Sequence, residues 1–255
     1  MTSAALQPAF VLHRRPYRET SLLVELLTCH DGRVGVVARG ARRRRGAAPL
    51  EPFVEFQVRW HGRGDLGQLL AAESVAPPRR LQGAALYSGF YLNELLLRLL
   101  RRHDPHPELY VDYAAALTAL QASAATGVEP VLRRFECRLL EACGYGLQLR
   151  EEVAGGTPLE PATLYRYEPE RGPIAVTGAG RDGLLVHGQA LLALAAGRLE
   201  AARDLRELKR LLRALLAPHL GPRPLTSREL FRGEAQAAAP AGEYNSRPFP
   251  TRRAP

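Results

Sequence analysis

A run of arginines is the part of the sequence whose residue types and spacing point most clearly to a chemical function. Five arginines lie within seven residues, at Arg39, Arg42, Arg43, Arg44 and Arg45. A guanidinium group donates two parallel hydrogen bonds to a phosphate, so such a run can hold a polyanion. The alternative is a solvated loop in an arginine-rich chain, and the run alone does not distinguish the two.

The distribution of charge favours the polyanion. The chain has 255 residues and a formal net charge of +9. Residues 1–80 hold 13 basic and 7 acidic residues, whereas residues 81–255 hold 22 and 19. Most of the excess positive charge therefore lies on less than a third of the chain. A basic segment of this kind indicates binding to nucleic acid first and to an anionic membrane surface second.

The residues around the arginine run have the pattern of β-strands. Short apolar or alternating stretches are separated by turn signals such as HDG, GAAP and HGRGDLG. Five strands in about seventy residues suit a small barrel of the five-stranded OB type. The predicted strands are Ala9–Arg14, Ser21–Thr28, Arg33–Arg39, Pro52–Trp60 and Gly67–Val75.

The aromatic residues of this segment divide between core and surface. In PFVEFQVRW, Phe53 and Phe56 fall on opposite faces of the strand, so at most one of them can face solvent. Trp60 ends the strand and is predicted to be core. Tyr17 lies in the first loop and is the best candidate for stacking on a base.

After Pro77 and Pro78 the hydrophobic period becomes helical. Leu132, Phe135, Leu139 and Cys143 share one helical face, and Gly144 is a stop signal. The chain is predicted to form an OB-fold domain over residues 1–80, a helical domain over residues 81–232 with a β-hairpin insertion near residues 160–187, and a disordered tail over residues 233–255. The predicted helices are Leu81–Arg102, Glu108–Gln121, 131–143, Gly188–Leu199 and Leu205–Leu220, followed by a short turn at Ser227–Arg232, and the predicted hairpin is Thr163–Val176.

Several classes of function are disfavoured by the motifs that the sequence lacks. It has no clustered carboxylates, no GxSxG, no P-loop and no metal-ligand spacing, which predicts no catalytic centre, no cofactor and no metal. Three scattered cysteines predict no disulfide framework. The first residues do not read as a signal peptide, and no apolar run is long enough to cross a bilayer, so we expect a cytoplasmic protein.

Four blocks of the sequence resemble a known family. They are AFVLHRRPYRETSLLVELLTCHDGRVGVVARGARRRR, LYSGFYLNELLLRLL with its following ELYVDY, EPVLRRFECRLLEACGYG and PLTSRELFR, in this order over residues 9–232. Together they resemble the bacterial RecO recombination mediators. The resemblance implies an N-terminal OB fold, a helical C-terminal domain and no catalytic centre.

The resemblance also implies partners. Such proteins bind single- and double-stranded DNA, anneal complementary strands, and act in the RecF pathway with RecR and the single-stranded-DNA-binding protein SSB to load RecA, which implies association with the nucleoid when bound to DNA. Some members carry a four-cysteine zinc site. Residues 150–187 contain no cysteine here, so no zinc is expected.

Two sets of residues are the candidate sites. An OB-type barrel binds a strand through a basic groove with aromatic platforms. The DNA-binding candidates are Arg14, Arg15, Tyr17, Arg39, Arg42, Arg43, Arg44, Arg45, Arg59 and Arg63. By resemblance, Arg133 is the first candidate for binding the acidic, apolar C-terminal tail of SSB, with Arg134 and Arg138 as weaker ones.

Two alternatives remain open at this point. The arginines at positions 133, 134 and 138 could be ordinary surface residues paired with Glu136 or Glu141. The chain could also be an RNA-binding OB-fold protein, since that class shares the barrel and the basic loop. The blocks LYSGFYLNELL and SRELFR have no explanation in that second case.

Overall fold

The first domain is a closed five-stranded barrel. A computed structural model describes residues 5–43, 49–62, 64–123, 127–153, 155–176 and 182–227. The strands are β1 (Gln7–Tyr17), β2 (Ser21–Thr28), β3 (Gly32–Ala38), β4 (Glu55–His61) and β5 (Gly67–Ser74). They pair in the order β1-β2-β3-β5-β4, with β4 returning to β1, and only β3 and β5 are parallel. The predicted OB-type barrel is confirmed.

Strand alternation builds the barrel core. Val24, Val36, Phe56 and Trp60 are fully buried inside it, while the intervening Arg59 is exposed. Trp60 is thus a core residue, as predicted. Phe53 departs from the predicted alternation because it lies before β4 with a left-handed φ of 68° and packs into the junction with the helices.

A β-bulge in β1 changes which residues of that strand face the barrel interior. The pairing of β1 with β2 shifts register between Val11 and His13. Val11 is a core residue, and beyond the bulge Arg14 pairs with the core residue Val24. A bulge adds one residue to one strand, so it reverses the face on which later side chains lie. Arg14 therefore shares the interior face, and Arg15 lies on the outer face.

The second domain is helical, as predicted, with slightly different helix ends. Gln82 and Leu100 have extended backbone angles, so the first helix is shorter than its apolar run, although Leu81 and Leu100 are both buried. Gly144 follows the third helix with a left-handed φ of 86°, which confirms the predicted stop. The helices are α1 (Gly83–Leu99), α2 (Pro107–Ala122), α3 (Glu129–Ala142), α4 (Gly188–Ala196) and α5 (Ala202–Leu220).

The predicted hairpin is present, but it belongs to a sheet of three strands. Strands β6 (Leu164–Glu168) and β7 (Gly172–Ala175) form the hairpin, and β8 (Leu185–His187) pairs with the other edge of β6. The prediction missed β8 because it has only three residues. The predicted tail at residues 233–255 and most of the predicted turn at Ser227–Arg232 lie outside the described residues.

A shared apolar core joins the barrel to the helices. Phe10, Leu12, Leu27 and Phe53 of the barrel lie in one cluster with α1, α2 and α3. Phe10 contacts the rings of Tyr110 and Tyr113 at centroid distances of 5.3 and 5.2 Å. Within the same cluster, the Asn93 amide donates a hydrogen bond of 2.8 Å to the Leu12 carbonyl.

Polar contacts fix the same junction on the outer face of β2 and β3. The carboxylate of Glu25 on β2 accepts a hydrogen bond from Arg102, which follows α1. Arg102 also donates a 2.7 Å hydrogen bond to the Asp65 carbonyl in the β4–β5 loop. Arg33 caps α1 by donating to the Leu97 carbonyl. This half of the outer β2–β3 face is therefore covered by the helical domain.

The last described segment docks onto α1. Glu94 accepts hydrogen bonds from the backbone and hydroxyl groups of Thr226 and Ser227, at 2.7–3.2 Å. One turn later, Arg98 donates 2.7 Å hydrogen bonds to the Pro224 carbonyl and to Glu94 itself. Leu225 is buried beneath this clamp.

Candidate nucleic-acid interface

An open groove crosses one side of the barrel. Three parts of the chain form it: the β1–β2 loop, the end of β3, and the β4–β5 loop with the start of β5. Its volume is about 810 Å³. In OB folds, the β2–β3 face and the β1–β2 and β4–β5 loops bind oligonucleotides. The lining residues are Tyr17, Arg18, Glu19, Thr20, Ser21, Val37, Arg39, His61, Gly62, Leu66, Gly67 and Gln68.

Strand register explains which residues form the groove floor. A single row of paired residues crosses four strand boundaries, from β1 through β2, β3 and β5 to β4. The pairs are Arg15 with Leu23, Leu23 with Val37, Val37 with Gln68, and Gln68 with His61. Paired residues lie on one face of a sheet. Arg15, with an exposed side chain, therefore stands on the same outer row as the groove floor.

The described part of the arginine run borders this groove. Arg39 lines it directly. The backbone N–H of Arg42 donates to the Thr20 carbonyl and its guanidinium donates to the Glu19 carbonyl, both at 3.0 Å, so the run is tied to the β1–β2 loop. Arg43 is exposed in a tight turn. The predicted site residues Arg44, Arg45 and Arg63 lie outside the described residues.

Tyr17 and Arg18 meet at the mouth of the groove. The guanidinium carbon of Arg18 lies 5.3 Å from the centre of the Tyr17 ring. Arg18 has a left-handed φ of 52°, which turns the chain from β1 into β2. A half-buried tyrosine beside an arginine offers both a stacking face and a cation. Sequence reasoning found Tyr17 but missed Arg18, His61 and Gln68. The loop rule of OB folds, applied to the turn RET, could have found Arg18.

Two other predicted arginines lie apart from the groove. Arg14 lines a second hollow of about 290 Å³ and pairs with Glu51 at 3.4 Å. Arg39 also lines that hollow, so it stands between the two. Arg59 is exposed on the outer face of β4, paired across the sheet with Ala71. It does not line either hollow.

The three arginines of α3 fall on two different faces. Arg133 is only 4% exposed and pairs with the buried Glu136 at 2.7 Å and with Glu129 at 3.5 Å. Arg134 and Arg138, by contrast, are exposed and line a hollow of about 550 Å³ beside the end of α4. The prediction had grouped all three in one site, and helical geometry separates them.

Contacts around Arg133 leave one donor without an acceptor. Its Nε has no hydrogen-bond partner among the described residues. Glu129, which is about a third exposed, bridges Arg133 to Lys209 of α5 at 2.5 Å from the lysine. Arg133 is therefore almost inaccessible to solvent and already paired with two carboxylates.

The described residues hold no further constellation with obvious chemistry. No group of three histidine, cysteine or acidic side chains among them is arranged to bind a metal ion. Burial raises the pKa of the Cys137 thiol to about 11, so it is protonated near neutral pH and a poor nucleophile. Within the same residues, no helix combines the length and the apolar character that crossing a bilayer requires.

The barrel and its groove define the chain as an OB-fold protein with an appended helical domain. Family models for the recombination protein O N terminal and C terminal match residues 1–78 and 80–229. The chain belongs to the RecO family.

Curated relatives agree with this assignment. A protein of Alkalilimnicola ehrlichii named DNA repair protein RecO is 54% identical, over 92% of this chain and 95% of its own length. Proteins of the same name from Methylococcus capsulatus and Pseudomonas aeruginosa are 51% and 47% identical, over 90% and 93% of this chain and 94% and 99% of their own lengths.

Proposed function

We propose that the chain is a DNA-binding recombination mediator. Membership of a family whose curated relatives are named DNA repair proteins supports a role in DNA repair and recombination. The groove carries the molecular part of the proposal, because Arg18 lies beside the half-buried Tyr17 and Arg39 lines the same groove. Arg15 and the Arg42–Arg43 turn lie on the outer row and the loop that border it, on the face that OB folds use for strands. The proposed ligands are single- and double-stranded DNA.

Binding by this groove is mainly electrostatic. Its arginines outnumber its single described aromatic platform, Tyr17. Each neutralised phosphate releases counterions, so the affinity falls steeply with salt. Guanidinium contacts to phosphate position the strand without reading its sequence. Weak sequence preference suits a protein that must act wherever DNA is damaged.

Strand annealing follows from the same physics. Cations screen the phosphate repulsion between two complementary strands while the base edges stay free to pair. This reaction needs no acid, base or nucleophile, so the proposed role requires no catalytic residue. We propose that the protein also acts with RecR to help RecA load onto SSB-coated strands, in the same pathway as RecF. This part of the proposal rests on the family assignment.

The proposed receptor for the SSB tail is the Glu129–Arg133–Lys209 cluster. An acidic tail would replace Glu129, take the unpaired Nε of Arg133 and the ammonium of Lys209, and leave Glu136 in place. The test is Arg133→Glu against Arg138→Glu, an exposed arginine of the same helix. Loss of tail-peptide binding in the first alone, with its thermal unfolding unchanged, supports the cluster, whereas loss in the second alone moves the site to the hollow beside α4.

A salt titration tests the groove. The barrel variant carries Arg39→Ala, Arg42→Ala and Arg43→Ala. Three lost phosphate contacts should reduce the slope of log affinity against log salt by about 2 for single-stranded DNA, at about 0.7 per contact. Annealing should fall with it.

A control separates local contacts from net charge. The sheet control carries Arg150→Ala, Arg166→Ala and Arg171→Ala, which removes three exposed arginines from the region of the small sheet. It should bind DNA like the wild type. Equal salt slopes in the barrel variant and the wild type would refute the groove as the DNA site, and a preference for structured RNA over single-stranded DNA would favour the RNA-binding alternative.

A further inference from the structure

The exposed face of α5 carries a stripe of basic side chains that the barrel groove does not explain. Arg206, Arg210 and Arg213 are all exposed and lie at i, i+4 and i+7, which places them on one face of the helix. None of the three forms an ion pair within the described part of the chain. Exposed Arg203 and Lys209 border this α5 stripe.

The acidic residues of α5 do not neutralise the stripe. The helix contains only two of them, Asp204 and Glu207, and both are buried on other faces. Glu207 is used internally, because it accepts hydrogen bonds from the backbone and ring of His187 at 2.8 and 3.0 Å. The opposite side of α5 carries Leu208 and Leu212, which are fully buried, so the orientation of the helix is fixed.

The stripe has the dimensions of a phosphate backbone. Arg206 and Arg213 are separated by about 10 Å along the helix, at 1.5 Å per residue. Successive phosphates of one strand lie about 3.4 Å apart along the axis of a B-form duplex, so four of them span a similar length. Helix α5 packs on α1, α3, α4 and β8. The stripe therefore belongs to the helical domain, whereas the groove is built entirely from the barrel.

We propose that the α5 stripe is a second binding site for a strand of DNA. This inference rests on the proposed DNA-binding function and extends it: one molecule holds one strand in the barrel groove and another along α5. Two strands held by one molecule meet at a high effective concentration, which accelerates pairing beyond what charge screening alone provides. Flexible strands longer than the distance between the sites can then pair.

The experiment compares three arginine variants of the full chain. The helix variant carries Arg206→Ala, Arg210→Ala and Arg213→Ala, and alanine preserves helix propensity. The barrel variant and the sheet control are those defined above, and all three lose the same charge. Binding stoichiometry is titrated with oligo(dT) of about 15 nucleotides, near the site size of one OB fold. Annealing of two longer complementary strands is followed by fluorescence.

We expect the wild type and the sheet control to bind two equivalents of oligonucleotide. The helix variant should bind one with unchanged affinity. The affinity for the second equivalent should fall about 100-fold at 0.1 M salt. The slope of log affinity against log salt is smaller by about 2, and 0.1 M lies one decade below 1 M. Annealing by the helix variant should fall at least tenfold.

Three outcomes overturn the second site. One is a single equivalent bound by the wild type, and another is a helix variant that anneals at the wild-type rate. The third is a helix variant that keeps both equivalents but loses an acidic peptide, which would make the stripe a protein-docking surface. In each of these cases, a barrel variant that binds DNA more weakly than the wild type leaves the proposed DNA-binding function standing. A barrel variant that binds DNA like the wild type refutes the proposed function as well.

Discussion

The clamp between α1 and the segment at Pro224–Ser227 makes a quantitative prediction. Replacing Glu94 by Gln keeps the size of the side chain but removes its charge. In the wild type, its carboxylate accepts four hydrogen bonds from Thr226 and Ser227 and one from Arg98. Hydrogen bonds to a charged group contribute about 1.5–3 kcal/mol each, and an amide oxygen retains only some of them.

The expected loss from Glu94→Gln is about 3 kcal/mol of the free energy of unfolding, equivalent to two such bonds. For a chain of this size it corresponds to a fall in Tm of about 6–12 °C. The backbone amides of Thr226 and Ser227 should lose their protection from hydrogen exchange first, because they donate directly to Glu94.

The pH dependence identifies the carboxylate as the cause. Burial raises the pKa of Glu94, but the hydrogen bonds from Ser227 and Thr226 and the charge of Arg98 outweigh it, so the pKa lies below its usual value. A carboxyl group with a lowered pKa in the folded state stabilises the protein above its unfolded pKa, and that stability is lost as the pH falls through the folded pKa. The difference in free energy of unfolding between the wild type and Glu94→Gln should therefore become smaller at acidic pH.

Glu200 provides a matched control for the loss of one carboxylate. Glu200→Gln removes the same charge from an exposed position and should leave Tm unchanged. If Glu94→Gln melts with the wild type near neutral pH and protects both amides equally, the segment is held by Leu225 and the Arg98 contacts, and the reasoning about the carboxylate is wrong.

Three further predictions concern the barrel and its junction. Gly32→Ala should lower the free energy of unfolding by about 3 kcal/mol in urea titrations, since its φ is +67° and a Cβ would lie 2.0 Å from the Asp104 carbonyl oxygen; a loss below about 1 kcal/mol would contradict this. Tyr17→Ala should weaken single-stranded DNA binding about tenfold without changing the salt slope, while Tyr17→Phe binds normally, because stacking needs the ring alone. Arg102→Met should destabilise the chain by about 2 kcal/mol in thermal unfolding. Arg102→Lys should not restore it, because the Asp65 carbonyl and Glu25 bond different guanidinium nitrogens, and the single nitrogen of a lysine cannot occupy both positions.

Local patterns in the sequence were enough to predict most of the fold. The strands of the barrel alternate between apolar and polar residues and end at turn residues. The alternation and the turn residues can both be recognised from a few neighbouring positions in the sequence. Trp60 is core for the same reason. Strand β8 was missed because three residues carry no usable period, and it is held in place by pairing with β6.

The candidate site was less predictable because it depends on contacts between distant residues. The bulge between Val11 and His13 moves Arg14 away from the outer face. The sequence of the strand contains no signal that predicts this bulge. The sequence showed that Arg133 and Glu136 could pair. It did not show that they would be buried together, which depends on the packing of α3 against α1, where Tyr91 bonds Glu136. The groove itself needs two loops and the end of β3 brought together by barrel closure.

The apolar junction between barrel and helices bears on any attempt to divide the protein. Phe10, Leu12, Leu27 and Phe53 are nearly inaccessible to water in the full chain, yet they lie outside the barrel's own interior cluster. A fragment ending before α1 would expose all four side chains as one apolar surface on an otherwise cationic barrel. Such a fragment would self-associate or bind detergent and chaperones. Its behaviour toward DNA would then report that artificial surface as much as the native groove.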